Sequence, residues 1–189
     1  QEKFSLDGID LNNKRMVLAT IHRRENWGEK FKNILKGIKK IAESFPDVVF
    51  LIPMHSNPNL RKSFYQILGN NKQIELTEPL KYNELVSAMK AAYIIITDSG
   101  GLQEEAPTFG KPILVVRENT ERQEAIEAGI AQLVGTDQDN IFKEASILLN
   151  NSEKYESISK KSNPFGDGNA SIRILKVCLS FLKKRGLLD

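Results

Sequence analysis

Six short apolar runs, each followed by a helical pattern, constrain this chain more than any other feature. MVLATI (16–21), VVFLIP (48–53), QIEL (73–76), YIIIT (93–97), PILVV (112–116) and AQLV (131–134) are strand-length, and most are apolar without alternation. That is the pattern of strands covered on both faces. Between them the periodicity predicts amphipathic helices at about 28–44, 58–68, 81–91, 101–109, 121–128 and 137–150. In the first, Phe31, Ile34, Leu35, Ile38 and Ile41 form one apolar stripe. Strands alternating with helices through short connections make right-handed βαβ units. The expected class is therefore α/β, a doubly wound, Rossmann-like parallel sheet of about six strands.

After residue 150 the strands stop. Helical patterns at 152–162 and 169–185 flank NPFGDG (163–168), a loop that redirects the chain. The 189 residues read as a single domain, 1–189, with the α/β core at about 15–150 and carboxyl-terminal helices at 151–189. The last helix carries Ile172, Leu175, Leu179 and Leu182 on one face, a stripe to pack on this sheet or on something outside the chain.

Net charge is +3 with both signs interspersed, so nothing demands nucleic acid, and KGIKK (36–40) and LKKRG (182–186) read as solvated helix faces. A lone Cys178 allows neither an internal disulfide nor a Cys-based metal site, and makes a reduced, cytoplasmic setting the default. No run approaches the roughly 20 apolar residues of a membrane helix. The opening QEKFSLDGID has neither a signal peptide's apolar region nor an initiator Met, which reads as a piece of something longer.

In doubly wound sheets ligands bind beyond the carboxyl ends of the strands, and four polar clusters fall there. In TDSGGLQEEA (97–106), Gly100 and Gly101 let a backbone approach a ligand, Ser99 offers a hydroxyl, and the helix start offers free N–H groups suited to a phosphate. The plainer reading is a helix N-cap by Asp98 or Ser99. Glu104 and Glu105 project about 100° apart, so only one can face the ligand edge, where a carboxylate suits two vicinal hydroxyls.

TIHRREN (20–26) puts His22 and Arg23 at the end of the first strand, and IPMHSNP (52–58) puts His55 at the end of the second, before a helix capped by Asn57. They are the chain's two histidines, placed for proton transfer or phosphate contact. In RENTERQEA (117–125), Arg122 can fork onto a phosphate or onto a carboxylate such as Glu105. The alternative is a surface ion-pair network of little weight.

Taken together, TIHRREN, PMHSNP, TDSGGLQEEA, GKPILVVRENTERQEA and NPFGDGNASIRI resemble, in order and approximate spacing, the carboxyl-terminal half of non-hydrolysing UDP-N-acetylglucosamine 2-epimerases. The resemblance spans about residues 15–180. It implies one half of a two-Rossmann-domain, glycosyltransferase-B-type architecture with the active site between the halves. The implied reaction interconverts UDP-GlcNAc and UDP-ManNAc by elimination and re-addition of UDP, with no cofactor and no metal.

The resemblance also implies roles. Ser99 and the amides of Gly100 and Gly101 would hold the diphosphate, Glu105 the ribose hydroxyls, and Arg122 and His55 would lie beside the phosphates. His22, catalytic or regulatory or both, would face the cleft with Arg23, near where bacterial members bind a second, activating UDP-GlcNAc. TEPLKYNEL (77–85) would lie beside the uracil, with Leu85 where relatives often carry an aromatic residue. The family's amino-terminal domain, which supplies the carboxylates for proton removal, has no counterpart in these residues. The chain alone is thus expected to bind UDP weakly and not to epimerise, and the parent to form a homodimer. The final helix, which in the family crosses back toward that domain, would have its stripe from Ile172 to Leu182 partly exposed or differently packed. Alternatives are a nucleotide-sugar glycosyltransferase domain, a hydrolysing epimerase, or a stand-alone nucleotide-binding module.

Overall fold

The computed structural model describes residues 13–187. Its strands are β1 (Arg15–Thr20), β2 (Val48–Pro53), β3 (Ile74–Thr77), β4 (Ile94–Thr97), β5 (Ile113–Val115) and β6 (Ala131–Leu133). All pair in parallel in one sheet of order β3-β2-β1-β4-β5-β6. β1 and β4 lie at the centre and are almost wholly buried, which is why their sequences are apolar without alternation. At the edge, Gln132 and Leu133 of β6 are exposed, matching the weakest of the six apolar runs.

The helices are α1 (Glu29–Ser44), α2 (Pro58–Leu68), α3 (Tyr82–Ala91), α4 (Gly100–Glu105), α5 (Gln123–Glu127), α6 (Gln138–Asn150), α7 (Ser152–Ser159) and α8 (Ala170–Lys184). The helix expected over 101–109 is shorter. α4 gives way to a 3-10 turn, Ala106–Phe109, where Pro107 removes a backbone donor, and Gly110 ends the turn in the left-handed conformation. The stripe of α1 is buried as its spacing dictates, Phe31 meeting Phe64 of α2 edge-to-face at 5.0 Å. Gly37 lets α1 lie close to α6: a methyl group there would be 3.1 Å from the Gln138 carbonyl and 3.3 Å from Ile141 Cβ.

From β1 the chain winds outward to β2 and β3; from β4 it winds the other way to β5 and β6. Their connections therefore part between β1 and β4, leaving a crevice at the carboxyl ends of these strands. Thr20 and Thr97 are paired there, their buried hydroxyls 2.7 Å apart.

Ile158 of α7 packs into the core, and Tyr155 stacks on Tyr93 at 3.9 Å. By contrast, no residue of α8 is buried. The expected stripe at Ile172, Leu175 and Leu179 is exposed, and so are Ile174, Val177 and Phe181. Apolar side chains thus cover most of the helix circumference, leaving a narrow basic strip of Arg173, Lys176, Lys183 and Lys184. Among the described residues no helix is long and apolar enough to cross a membrane.

Candidate functional site

Asp98, wholly buried, organises the crevice. The backbone N–H of His22 donates to both its oxygens at 3.1 Å, that of Arg23 to Oδ2 at 2.9 Å, and Asn26 Nδ2 to Oδ2 at 3.0 Å. Asn26, itself buried, also donates to the Val116 carbonyl at 3.1 Å, tying in the end of β5. A buried carboxylate is costly unless hydrogen-bonded; here its partners fasten the loop after β1 to the end of β4. The sequence offered Asp98 only as a helix cap. Ser99 takes that place, its Oγ accepting from the Leu102 N–H at 3.5 Å, while its own N–H donates to Thr97 Oγ1 at 2.9 Å.

Two guanidinium groups converge over the first turn of α4. A methyl group on Gly100 would lie 3.3 Å from Nη2 of Arg23 and 3.4 Å from Nη2 of Arg122. Arg122 donates through Nε to Glu104, not to the Glu105 suggested by the sequence. The cause is the angle between adjacent helical residues: Glu104 faces the loop before α5, whereas Glu105 turns toward Ser99 and Gly101. A methyl on Gly101 would be 3.8 Å from both Glu105 Oε1 and Ser99 Oγ. Among the described residues no Lys or Arg pairs with Glu105. Its carboxylate raises the phenol of exposed Tyr82 above the ordinary range. One glutamate thus aims an arginine by Nε, leaving the guanidinium's outer edge clear, and the other stays available for hydroxyl groups.

A buried relay sets the distance between Ser99 and Arg122. Gln103, one turn after Ser99, donates to its carbonyl at 3.1 Å and accepts from Thr120 Oγ1 at 2.6 Å; that hydroxyl accepts from the Arg122 N–H at 3.2 Å. Neither Gln103 nor Thr120 was singled out by sequence. The one available signal is a polar residue on the inward face of a short helix. Arg117, only 4% exposed, donates to Glu25 at 2.6 Å and forks onto Glu121 at 2.7 and 3.0 Å, holding the Glu121 carboxyl down to about 2. The RENTERQEA cluster therefore divides: Arg117 serves an internal ion pair and Arg122 the crevice.

His22 and His55 stand on adjacent loops, ring centroids 6.5 Å apart and planes within 9°. His22 Nδ1 is 3.4 Å from Asp98 Oδ1, and His55 Nδ1 accepts from the Asn57 N–H at 3.0 Å. Asn57 caps α2 as expected, accepting from the Asn59 N–H. Leu85 is half-buried against the core, so it offers little free face to a planar base. The NPFGDG loop does more than redirect the chain. Asn163 donates to Thr108 Oγ1 at 2.9 Å, and Gly166 and Gly168 line a pocket with Glu104 and Glu105. Among the described residues no group of three or more His, Cys, Asp or Glu is placed to hold a metal.

The arrangement suits an anion over Gly100, met by two guanidinium groups, the Ser99 hydroxyl and free helix-start amides, with a carboxylate to one side for hydroxyls.

The family model of UDP-N-acetylglucosamine 2-epimerase matches residues 1–179. A UDP-N-acetylglucosamine 2-epimerase of Campylobacter jejuni is 48% identical over 168 residues, covering 89% of this chain and 44% of that protein. The UDP complex of MnaA from S. aureus superposes with TM-score 0.88 at 40% identity, over 94% of this chain and 48% of that one. UDP-GlcNAc 2-epimerase from Neisseria meningitidis, bound to UDP-GlcNAc, gives TM-score 0.86 at 44% identity, over 89% and 46%. The chain spans about half the length of the curated relatives it matches. Sequence identity and superposition agree, and the chain belongs to the UDP-N-acetylglucosamine 2-epimerase family.

Proposed function

We propose that this chain is the UDP-binding half of a cytoplasmic enzyme that interconverts UDP-GlcNAc and UDP-ManNAc. The observation that carries the reading is the meeting of Arg23 and Arg122 over Gly100 while Glu105 stays free of cationic partners among the described residues. The diphosphate lies over the start of α4, held by Ser99, the amides of Gly100 and Gly101, and the two arginines. Glu105 accepts from the ribose hydroxyls, and His55 stands beside the phosphates.

When the bond from sugar C1 to the diphosphate oxygen breaks, negative charge grows on the departing UDP. Fixed cations and donors aimed at that charge lower the barrier, because they need no reorganisation as it develops. Removing the proton at sugar C2 needs a base on the other side of the sugar, supplied by a second domain in the remainder of a longer parent chain. His22, on the crevice wall, acts on the substrate. The chain alone binds UDP weakly and does not epimerise, since the reaction needs groups held in register from both sides of a cleft.

Calorimetric titration of the purified chain with UDP, repeated for Ser99→Ala and Glu105→Ala, tests this reading. Both substitutions weaken binding, Ser99→Ala by about tenfold for one lost hydrogen bond of about 1.4 kcal/mol and Glu105→Ala by more, since its carboxylate accepts from two hydroxyls. UDP binding that neither substitution alters, or none at all by a folded chain, would count against it.

A further inference from the structure

We infer that Asp98 fixes the tautomer of His22, so that the two crevice histidines present opposite chemistry: the Nε2 of His22 accepts, and the Nε2 of His55 donates. The assignment rests on what each Nδ1 faces; its meaning for catalysis rests on the UDP reading above.

Neutral imidazole carries one proton, and the partner of one nitrogen decides where it sits. His55 Nδ1 takes a backbone N–H from Asn57 at 3.0 Å. A nitrogen that accepts from an N–H must hold a lone pair, so the proton of neutral His55 is on Nε2. His22 faces the reverse partner. Its Nδ1 is 3.4 Å from Oδ1 of Asp98, whose other contacts are all N–H donors: the backbones of His22 and Arg23 and the amide of Asn26. Both oxygens of Asp98 therefore act as acceptors. A lone pair on Nδ1 would be repelled by the carboxylate 3.4 Å away, whereas an Nδ1–H is attracted to its charge even without a directed hydrogen bond. His22 thus carries its proton on Nδ1 and leaves Nε2 bare.

With parallel rings 6.5 Å apart, the pair supplies one acceptor and one donor. His55 donates to a phosphoryl oxygen without gaining or losing a proton. His22 accepts a hydrogen bond from a substrate hydroxyl at Nε2 without taking its proton, and Asp98 behind the ring keeps that nitrogen bare. Asp98 is in this sense a positioning residue: it touches no ligand and acts through His22.

The chain's two histidines make the test tractable. A long-range proton–nitrogen correlation spectrum, recorded without ligand above the imidazole titration range and assigned with His55→Gln, reads all four ring nitrogens. The expected result is unprotonated-type shifts at His22 Nε2 and His55 Nδ1. Asp98→Asn gives the sharper signature. Its amide oxygen belongs on the side of Arg23 N and Asn26 Nδ2, which turns its NH2 toward His22 Nδ1. The His22 tautomer then reverses, moving Nε2 to a protonated-type shift, while His55 is unchanged.

A wild-type spectrum with the His22 proton on Nε2 overturns the inference, as does a folded Asp98→Asn chain with unaltered His22 shifts. Should that variant fail to fold, the wild-type spectrum still decides. Because the tautomers are read without UDP, the titration above can fail while this inference stands, and the reverse.

Discussion

Replacing Gly100 with alanine separates the anion site from the fold. Gly100 is not among the glycines of positive φ, so alanine takes its backbone conformation without strain. In the first turn of a helix, alanine gains up to about 1 kcal/mol over glycine. The added methyl would lie 3.3 Å from Arg23 Nη2, 3.4 Å from Arg122 Nη2 and 3.5 Å from Arg122 Cζ. These are the ends of flexible side chains, which yield at small cost, so the expected change in folding stability is within about 1 kcal/mol.

Binding responds differently. The methyl takes the space an anionic oxygen needs between the guanidinium groups, and each charge-assisted hydrogen bond lost is worth about 1.5–3 kcal/mol. UDP affinity is expected to fall about ten- to a hundredfold, or about 1.4–2.8 kcal/mol, while uridine, lacking the diphosphate, loses little. Thermal melting and calorimetry with UDP and uridine read both quantities. A folded Gly100→Ala chain that binds UDP as tightly as the unaltered protein refutes the placing of the anion over this turn.

Deleting α8 by ending the chain after Gly168 leaves the melting temperature essentially unchanged, because none of the helix's residues is buried; a drop of more than about 4 °C, the upper end of what 1 kcal/mol produces in a chain of this size, would show hidden packing. The tyrosine stack makes stability fall in alkali. Burial, and then the neighbouring Tyr93, push the Tyr155 phenol up from 10.0 to about 12 in the folded state. With the folded value above the unfolded one, this stabilisation is complete below pH 10 and is lost as pH rises toward 12. Urea denaturation across that window should show a shallower decline for Tyr155→Phe; an unchanged slope would remove Tyr155 as its source.

The parallel sheet was legible because β1, β2 and β4 are buried on both faces, and the amphipathic stripe of α1 was legible because burial follows its period. Ser99, the glycines and the histidines were legible because they sit where strands end. Asp98, Asn26 and Gln103 were not, since each is defined by a partner far along the chain: Asn26 and Asp98 are 72 residues apart. No local pattern distinguishes a carboxylate that caps its own helix from one that ties down a distant loop. For Glu104 and Glu105, helix geometry required the pair to diverge, but the direction of each depended on where the loop carrying Arg122 would land. On α8 a stripe was legible, whereas the exposure of the remaining apolar positions depends on what packs there.

The anion cradle is composite: Arg23, Ser99 and Arg122 come from loops after three different strands, brought together by the sheet and by the Asp98 and Gln103 contacts. An extended chain holds these groups apart and offers no such pocket, so a ligand that needs all of them binds only the folded state. Occupancy and folding are then thermodynamically linked, and at a hundred times its Kd a bound nucleotide would add about 2.7 kcal/mol to the stability of the domain. Under the proposed function, a bound diphosphate is a counter-charge at the seam of the sheet, adding electrostatically to what the apolar strands supply by packing.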